Sequence, residues 1–319
     1  MELFNNINLG ITTECNAKCY LCNRSCIPDF PKNINMNISI LDKILPHTKS
    51  IQIIGGFGDF INHPQSLEFA EKMQDVDFNI ETNGELHDEY YWKQLALLAK
   101  DENHSVQFSI DDIENEVNPY RKVNTEKVLH NLSVFRDAGG HAKIKTILFQ
   151  FNESQIEKMK IKFGENFYTQ QSMFYPKYGL LSAPSFIKHD GSISLINKIN
   201  KMKMRSPLTC PWQDGRWLLV NELGEVHICC YILTFLAGKK DRAPKSISEY
   251  TKLEYYGELY DLYLKNKDNI DLNNVSLEAA YSNEYNQYVI KNFKNINRCK
   301  ISCGTKEGLK KLCQSTHQI

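Results

Sequence analysis

The sequence predicts an α/β fold: a partial (β/α)6-type barrel with parallel strands, followed by a small α+β cysteine-rich domain. Three observations carry this expectation. Six short apolar runs alternate with helical patterns up to about residue 175. Turn residues close several of the runs, as at Gly55–Gly56 and Thr82–Asn83–Gly84. Beyond that point the alternation stops, and six of the ten cysteines fall in the remaining C-terminal stretch. The division reads as residues 1–204 for the barrel and 205–319 for the smaller domain.

The runs place strands at residues 7–12, 50–54, 78–81, 106–110 and 142–149, with a sixth at 167–174. Helices are expected at 41–45, at 64–73 with Pro64 in the first position, and at 88–99, where Trp92, Leu95, Leu97 and Leu98 are apolar. A helix over 125–138 puts Val128, Leu132 and Phe135 on one face and stops at Gly139–Gly140. Another is expected at 153–161. Strand, helix, strand at this spacing implies parallel strands joined by right-handed crossovers. Such folds gather their chemistry at the C-terminal strand ends. In the second part, residues 217–220 and 225–229 read as a hairpin turning at Asn221–Glu222–Leu223–Gly224, followed by helical stretches at 250–264 and 277–293.

Composition narrows the function. Lys+Arg and Asp+Glu number 38 each, so no long-range attraction to nucleic acid or acidic membranes is expected. The first nine residues lack a basic region followed by an apolar run, and no apolar stretch is long enough for a membrane span, which makes a cytoplasmic protein the expectation. Cysteines clustered in a reducing compartment more often hold metal than form disulfides. No Walker loop, H-E-x-x-H, G-x-S-x-G or dinucleotide fingerprint is present.

The first cysteine group, Cys15, Cys19 and Cys22, has the spacing C-x3-C-x2-C directly after the first strand. Three thiolates on one loop can hold three irons of a cubane, leaving the fourth iron for an exogenous amine and carboxylate. With Cys26 as a fourth ligand the loop also accommodates zinc, and inert core thiols are a further alternative. At the next strand ends come Gly55–Gly56–Phe57–Gly58–Asp59 with His63 nearby, then Glu81–Thr82–Asn83–Gly84, then Phe108–Ser109–Ile110–Asp111 and Asn118–Pro119–Tyr120–Arg121.

This set of motifs resembles the radical SAM superfamily. The resemblance covers residues 7–150 and implies a [4Fe–4S] cluster on Cys15, Cys19 and Cys22 that binds S-adenosylmethionine. It further implies that Gly55, Gly56, Gly58 and Asp59 approach the amino group of the cofactor, with Asp59 in the usual glutamate position and Phe60 in place of proline. Thr82 and Asn83 match a third-strand motif, and Ser109 and Arg121 would meet the ribose and carboxylate. Leu21 stands where an adenine contact is often aromatic, with Tyr20 one step earlier.

The second group resembles the C-terminal extension called twitch, the shorter relative of SPASM. The pattern C-x13-G-x4-C from Cys210 to Cys229, followed by Cys299 and Cys303, implies a second, auxiliary [4Fe–4S] cluster; a zinc ribbon-like site is the alternative. Cys229 is favoured over Cys230 by spacing, and Cys313 is a spare or an alternative fourth ligand. The resemblance implies reductive cleavage of S-adenosylmethionine to a 5′-deoxyadenosyl radical that takes a hydrogen atom from substrate. An oxidoreductase acting on a small molecule or carbohydrate is the expected reading, with an electron donor such as flavodoxin or ferredoxin. A peptide-modifying maturase is the alternative; such enzymes often carry an N-terminal docking domain, and here the loop begins at Cys15. A non-enzymatic iron–sulfur or zinc protein would have no use for ligand-facing motifs at four strand ends.

Overall fold

The computed structural model describes residues 4–20, 22, 24, 32–54, 57–172, 179–185, 210–229, 256–294 and 296. The chain divides into two compact units. One comprises Met1–Ile11, Cys26–Ile51 and Ile193–Ile319; the other comprises Thr12–Ser25 and Gln52–Ser192.

The second unit carries most of the parallel sheet. Its strands run in the order β6 (Phe167–Gln171), β5 (Ala142–Leu148), β4 (His104–Ser109), β3 (Asp77–Thr82) and β2 (Ser50–Ile53), the last straddling the unit boundary. The β3–β4, β4–β5 and β5–β6 pairs are all parallel. Period-2 alternation divides the sheet into two faces. On one, Ile80 pairs with Val106 and Thr82 with Phe108, and Val106 and Phe108 pair in turn with Ala142 and Ile144. On the other, Glu81 pairs with Gln107, Gln107 with Lys143, and Ser109 with Lys145.

The apolar face is covered by helices whose ends follow from their capping residues. Asp88 accepts from the Tyr91 amide and starts the helix Glu89–Leu98, and Asn124 accepts from Lys127 and starts Thr125–Asp137. These helices bring Trp92 and Phe135 onto Phe108, with ring centroids 5.2 and 5.6 Å away. All three rings are fully buried, and truncating one to alanine in such a cluster costs about 3–5 kcal/mol.

Three expected helices differ in their bounds. The helix expected from Pro64 runs over Ser66–Lys72, so Pro64 is not its first residue. A 3-10 turn, Phe60–Asn62, comes first, capped by Asp59, and His63 Nδ1 then accepts from the Gln65 amide. The helix expected from residue 153 runs over Ile156–Phe163 after a 3-10 turn, Gln150–Gln155. The cause is Asn152, whose side chain accepts from Phe149 N and donates to the carbonyls of Asp111 and Ile147. The stretch 277–293 is two helices, Leu277–Ser282 and Glu284–Asn292, because Asn283 leaves helical geometry (ψ 151) and its side chain caps the second at Tyr285.

In the first unit, β1 (Asn6–Leu9) pairs in parallel with β7 (Trp217–Val220), which pairs antiparallel with β8 (Val226–His227). The expected turn is present. Asn221 Oδ1 accepts from the amides of Leu223 and Glu225, and Gly224 has φ +87, a conformation that favours glycine. Of the helix expected at 250–264, residues 250–255 lie outside the described residues, and Tyr256–Asn266 is helical. Among the described residues, no helix is long and apolar enough to cross a membrane.

Candidate active site

Cys15, Cys19 and Cys22 line one pocket of about 250 Å³ within the second unit. Gly58, Asp59, Thr82, Asn83, Ser109 and Arg121 line the same pocket. Every described residue of the site expected from sequence therefore reaches one cavity; Leu21, Gly55 and Gly56 lie outside the described residues. His63 is not on the pocket wall: it is buried and packs against Phe69, ring centroids 4.8 Å apart.

The cysteine loop is held by backbone from two neighbouring segments. The Asp59 amide donates to Glu14 O at 2.9 Å, Lys18 N donates to Arg121 O at 2.9 Å, and Tyr20 N donates to Tyr120 O at 3.2 Å. Gly58 is required by this packing, because a Cβ there would lie 2.0 Å from Thr12 O and 2.8 Å from Glu14 O. Gly58 thus packs against the loop and lines the pocket as well.

Asp59 is the buried hub of the site. Its carboxylate accepts from Thr82 Oγ1 at 2.8 Å, Asn83 N at 2.6 Å, Asn83 Nδ2 at 2.7 Å and Ile61 N at 3.4 Å. Burial pushes its pKa up, and the hydrogen bonds from Asn83 and Thr82 oppose that shift. Arg121, also on the wall, donates from Nε to Asp111 Oδ2 at 2.6 Å, while Asp111 Oδ1 accepts from the Ile147 amide. Burial works against the Arg121 charge, but Asp111 outweighs it and holds the guanidinium ionised. Tyr120 is buried against Phe149 and completes that side of the cavity.

One pair on the wall escaped the sequence reading. Lys145 Nζ lies 2.9 Å from Glu81 Oε2, and both side chains are largely buried and line the pocket. Glu81 Oε1 also accepts from Gln52 Nε2. The signal was the alternation Lys143–Ile144–Lys145 in a strand paired at Ser109. It becomes legible only once the β4–β5 register is known.

The donor set suits a cationic iron cluster. All three thiols are partly buried and free of disulfides. Burial pushes the Cys15 thiol up to about 12, with Asp59 adding to the shift, and burial raises Cys19 too. Burial thus disfavours the bare thiolate of Cys15 and Cys19, and a bound cation favours it. Among the described residues, no group of three or more His, Cys, Asp or Glu side chains converges on a single ion. The loop presents its thiols to a shared cavity, open to a ligand beside them.

Of the second group, Cys210 and Cys229 are both buried. Cys210 precedes a short helix, Pro211–Asp214, that leads into β7, and Cys229 follows β8. Antiparallel pairing puts these two chain positions towards the same end of the hairpin. Cys26, Cys230, Cys299, Cys303 and Cys313 lie outside the described residues.

A family model described as the Radical SAM superfamily matches residues 9–160. Among solved structures, SuiB of Streptococcus suis bound to S-adenosylmethionine is similar with a TM-score of 0.54 and 12% identity, covering 82% of this chain and 68% of that one. The enzyme anSMEcpe with bound AdoMet is similar with a TM-score of 0.57 and 14% identity, covering 99% of this chain and 93% of that one. At these identities the likeness concerns the fold: a mostly parallel sheet with helices, the partial barrel of this superfamily. Comparison with curated proteins gives no match. The matching family model, the shared fold and the cysteine-lined pocket together lead to one conclusion: the chain carries a radical SAM domain, spanning residues 9–160.

Proposed function

We propose that this chain is a radical SAM enzyme that reductively cleaves S-adenosylmethionine and takes a hydrogen atom from a polar small molecule or carbohydrate. The observation that carries the reading is the meeting of Cys15, Cys19 and Cys22 with Gly58, Asp59, Thr82, Asn83, Ser109 and Arg121 on one pocket of a radical SAM domain.

In this reading Cys15, Cys19 and Cys22 each hold one iron of a [4Fe–4S] cluster. Bound there, such a cluster would supply the electron for reductive cleavage of S-adenosylmethionine to methionine and a 5′-deoxyadenosyl radical. The chain's own residues bind and orient. Gly55, Gly56, Gly58 and Asp59 receive the amino end, Ser109 and Arg121 the carboxylate and ribose, and Leu21 the adenine. Thr82 and Asn83 keep the Asp59 carboxylate aimed into the pocket. The Glu81–Lys145 pair gives the cavity a wall with both an acceptor and a donor, which suits a substrate bearing hydroxyl or amino groups. Glu81, kept near Lys145, is our choice of proton acceptor if a hydroxyl carbon is oxidised.

We assign residues 205–319 to a twitch-like domain in which Cys210, Cys229, Cys299 and Cys303 close a second cluster. The burial of Cys210 and Cys229 supports this. A closed cluster equips a protein for electron transfer and favours a dehydrogenase-type reaction, with flavodoxin or ferredoxin as the external donor. Peptide modification is the second reading, favoured by the likeness to SuiB bound to the precursor peptide SuiA and to anSMEcpe bound to a peptide.

Iron and acid-labile sulfide per chain, measured after anaerobic reconstitution and desalting, test the reading. About eight irons support two cubanes. About four keep the radical SAM site and remove the second cluster. Negligible iron with tightly held zinc overturns the proposal.

A further inference from the structure

Asn83 belongs to the site by position, but its side chain does not point simply at an incoming ligand. Its Oδ1 accepts from the Glu85 amide at 3.0 Å, which fixes which way the amide faces. Its Nδ2 carries two hydrogens among three acceptors: one goes to Asp59 Oδ2 at 2.7 Å, and the other is shared between Asn16 Oδ1 at 3.0 Å and Cys15 Sγ at 3.8 Å. Asn16 is held in turn by Glu85 through its own Nδ2. The amide is buried, and each neighbour that orients it is itself anchored.

A sulfur carrying negative charge is a better acceptor than a thiol, and hydrogen bonds to ligand sulfurs help to set the reduction potential of an iron–sulfur cluster. We propose that Asn83 is a positioning residue for electron transfer. The Nδ2 hydrogen that it shares between Asn16 and the Cys15 sulfur, aimed by Asp59 and the Glu85 amide, makes the cluster on Cys15, Cys19 and Cys22 easier to reduce. This rests on the radical SAM reading of the pocket. The donor favours the reduced cluster because reduction adds negative charge to the core and its sulfurs. Asp59 then has two tasks, because the carboxylate assigned to the amino end of S-adenosylmethionine also aims the donor of a cluster ligand.

The test is an EPR-monitored redox titration of the anaerobically reconstituted full chain. The signal that changes on adding S-adenosylmethionine identifies the cluster in question. Asn83→Leu, at wild-type iron content, is expected to shift the reduction equilibrium about tenfold against the reduced cluster, ~59 mV for one electron. Thr82→Val removes a different donor from Asp59 without touching Cys15, and is expected to shift it less than about twofold, under ~0.4 kcal/mol by the same conversion. An unchanged equilibrium in Asn83→Leu, or an equal shift in Thr82→Val, overturns the assignment. Should Asn83→Leu fail to fold, wild-type protein with 15N in its asparagine side chains provides a second readout. Pulsed EPR of the reduced cluster is expected to show coupling to an asparagine 15N, and its absence overturns the proposal. A wild-type protein whose EPR signal ignores S-adenosylmethionine would overturn the radical SAM reading and this inference together.

Discussion

Cys15, Cys19 and Cys22 lie half-buried on a loop facing a pocket with polar and charged walls. Cys210 and Cys229 are buried, and the first unit also holds a buried polar network that Cys229 approaches at Tyr285. Glu225 there accepts from Asn221 Nδ2 at 2.7 Å and Tyr263 Oη at 3.0 Å, and His227 Nδ1 lies 3.2 Å from the Tyr285 hydroxyl. The contrast teaches that exposure, more than the number of thiols, decides what a cysteine group can do. The first group leaves space beside its ligands for a second molecule. Of the second, the two described thiols, Cys210 and Cys229, are buried.

The sharpest way to break the comparison is to remove each group in turn. Replacing Cys15, Cys19 and Cys22 together by alanine is expected to abolish formation of 5′-deoxyadenosine from S-adenosylmethionine and to lower iron by about four per chain. Replacing Cys210 and Cys229 by alanine is expected to lower iron by a similar amount, about four, while the S-adenosylmethionine-responsive EPR signal persists. Loss of that signal in the second variant would mean that the two groups do not work separately.

A smaller effect tests how the open group is held. Gly58→Ala places a Cβ 2.0 Å from Thr12 O, where only backbone can give way. It is expected to destabilise the folded protein by about 1–3 kcal/mol in denaturant unfolding and to weaken iron retention. An unaffected variant would show that the loop is not anchored through Gly58.

Much of this arrangement was legible in the sequence. The apolar runs holding Ile80, Val106, Phe108 and Ile144 announced the strands, and helices were expected to begin at residues 88 and 125. The motif residues gave the wall of the pocket, because each stands at or just past a strand end and parallel strands bring those ends together. What stayed hidden depends on register or on side-chain hydrogen bonds between distant segments. Lys145 meets Glu81 across 64 residues, and Asp59 meets Thr82 and Asn83 across more than twenty. The break at Asn283 was missed because Tyr281 and Tyr285 keep helical spacing on either side of it. The β1–β7 pairing was missed because it joins strands far apart in the chain.

The smallest expected effect lies in the closed network. Burial alone would raise the Glu225 pKa, but His227, Asn221 and Lys267 outweigh it and the net shift is downward from 4.5. A depressed carboxylate contributes stability that is fully present above its unfolded value and is lost as pH falls through its folded value. Glu225→Gln is therefore expected to flatten the acid side of the stability profile below about pH 4.5, read as the acid-unfolding midpoint. A profile as steep as wild type would show that the network does not depend on the charge.

Product analysis tests the radical SAM assignment most directly. The anaerobically reconstituted full chain is incubated with S-adenosylmethionine and dithionite, and 5′-deoxyadenosine and methionine are quantified beside the variant lacking Cys15, Cys19 and Cys22. Formation of both products in equal amounts by wild type alone is the predicted result. A fully iron-loaded wild type that forms neither would contradict the central claim.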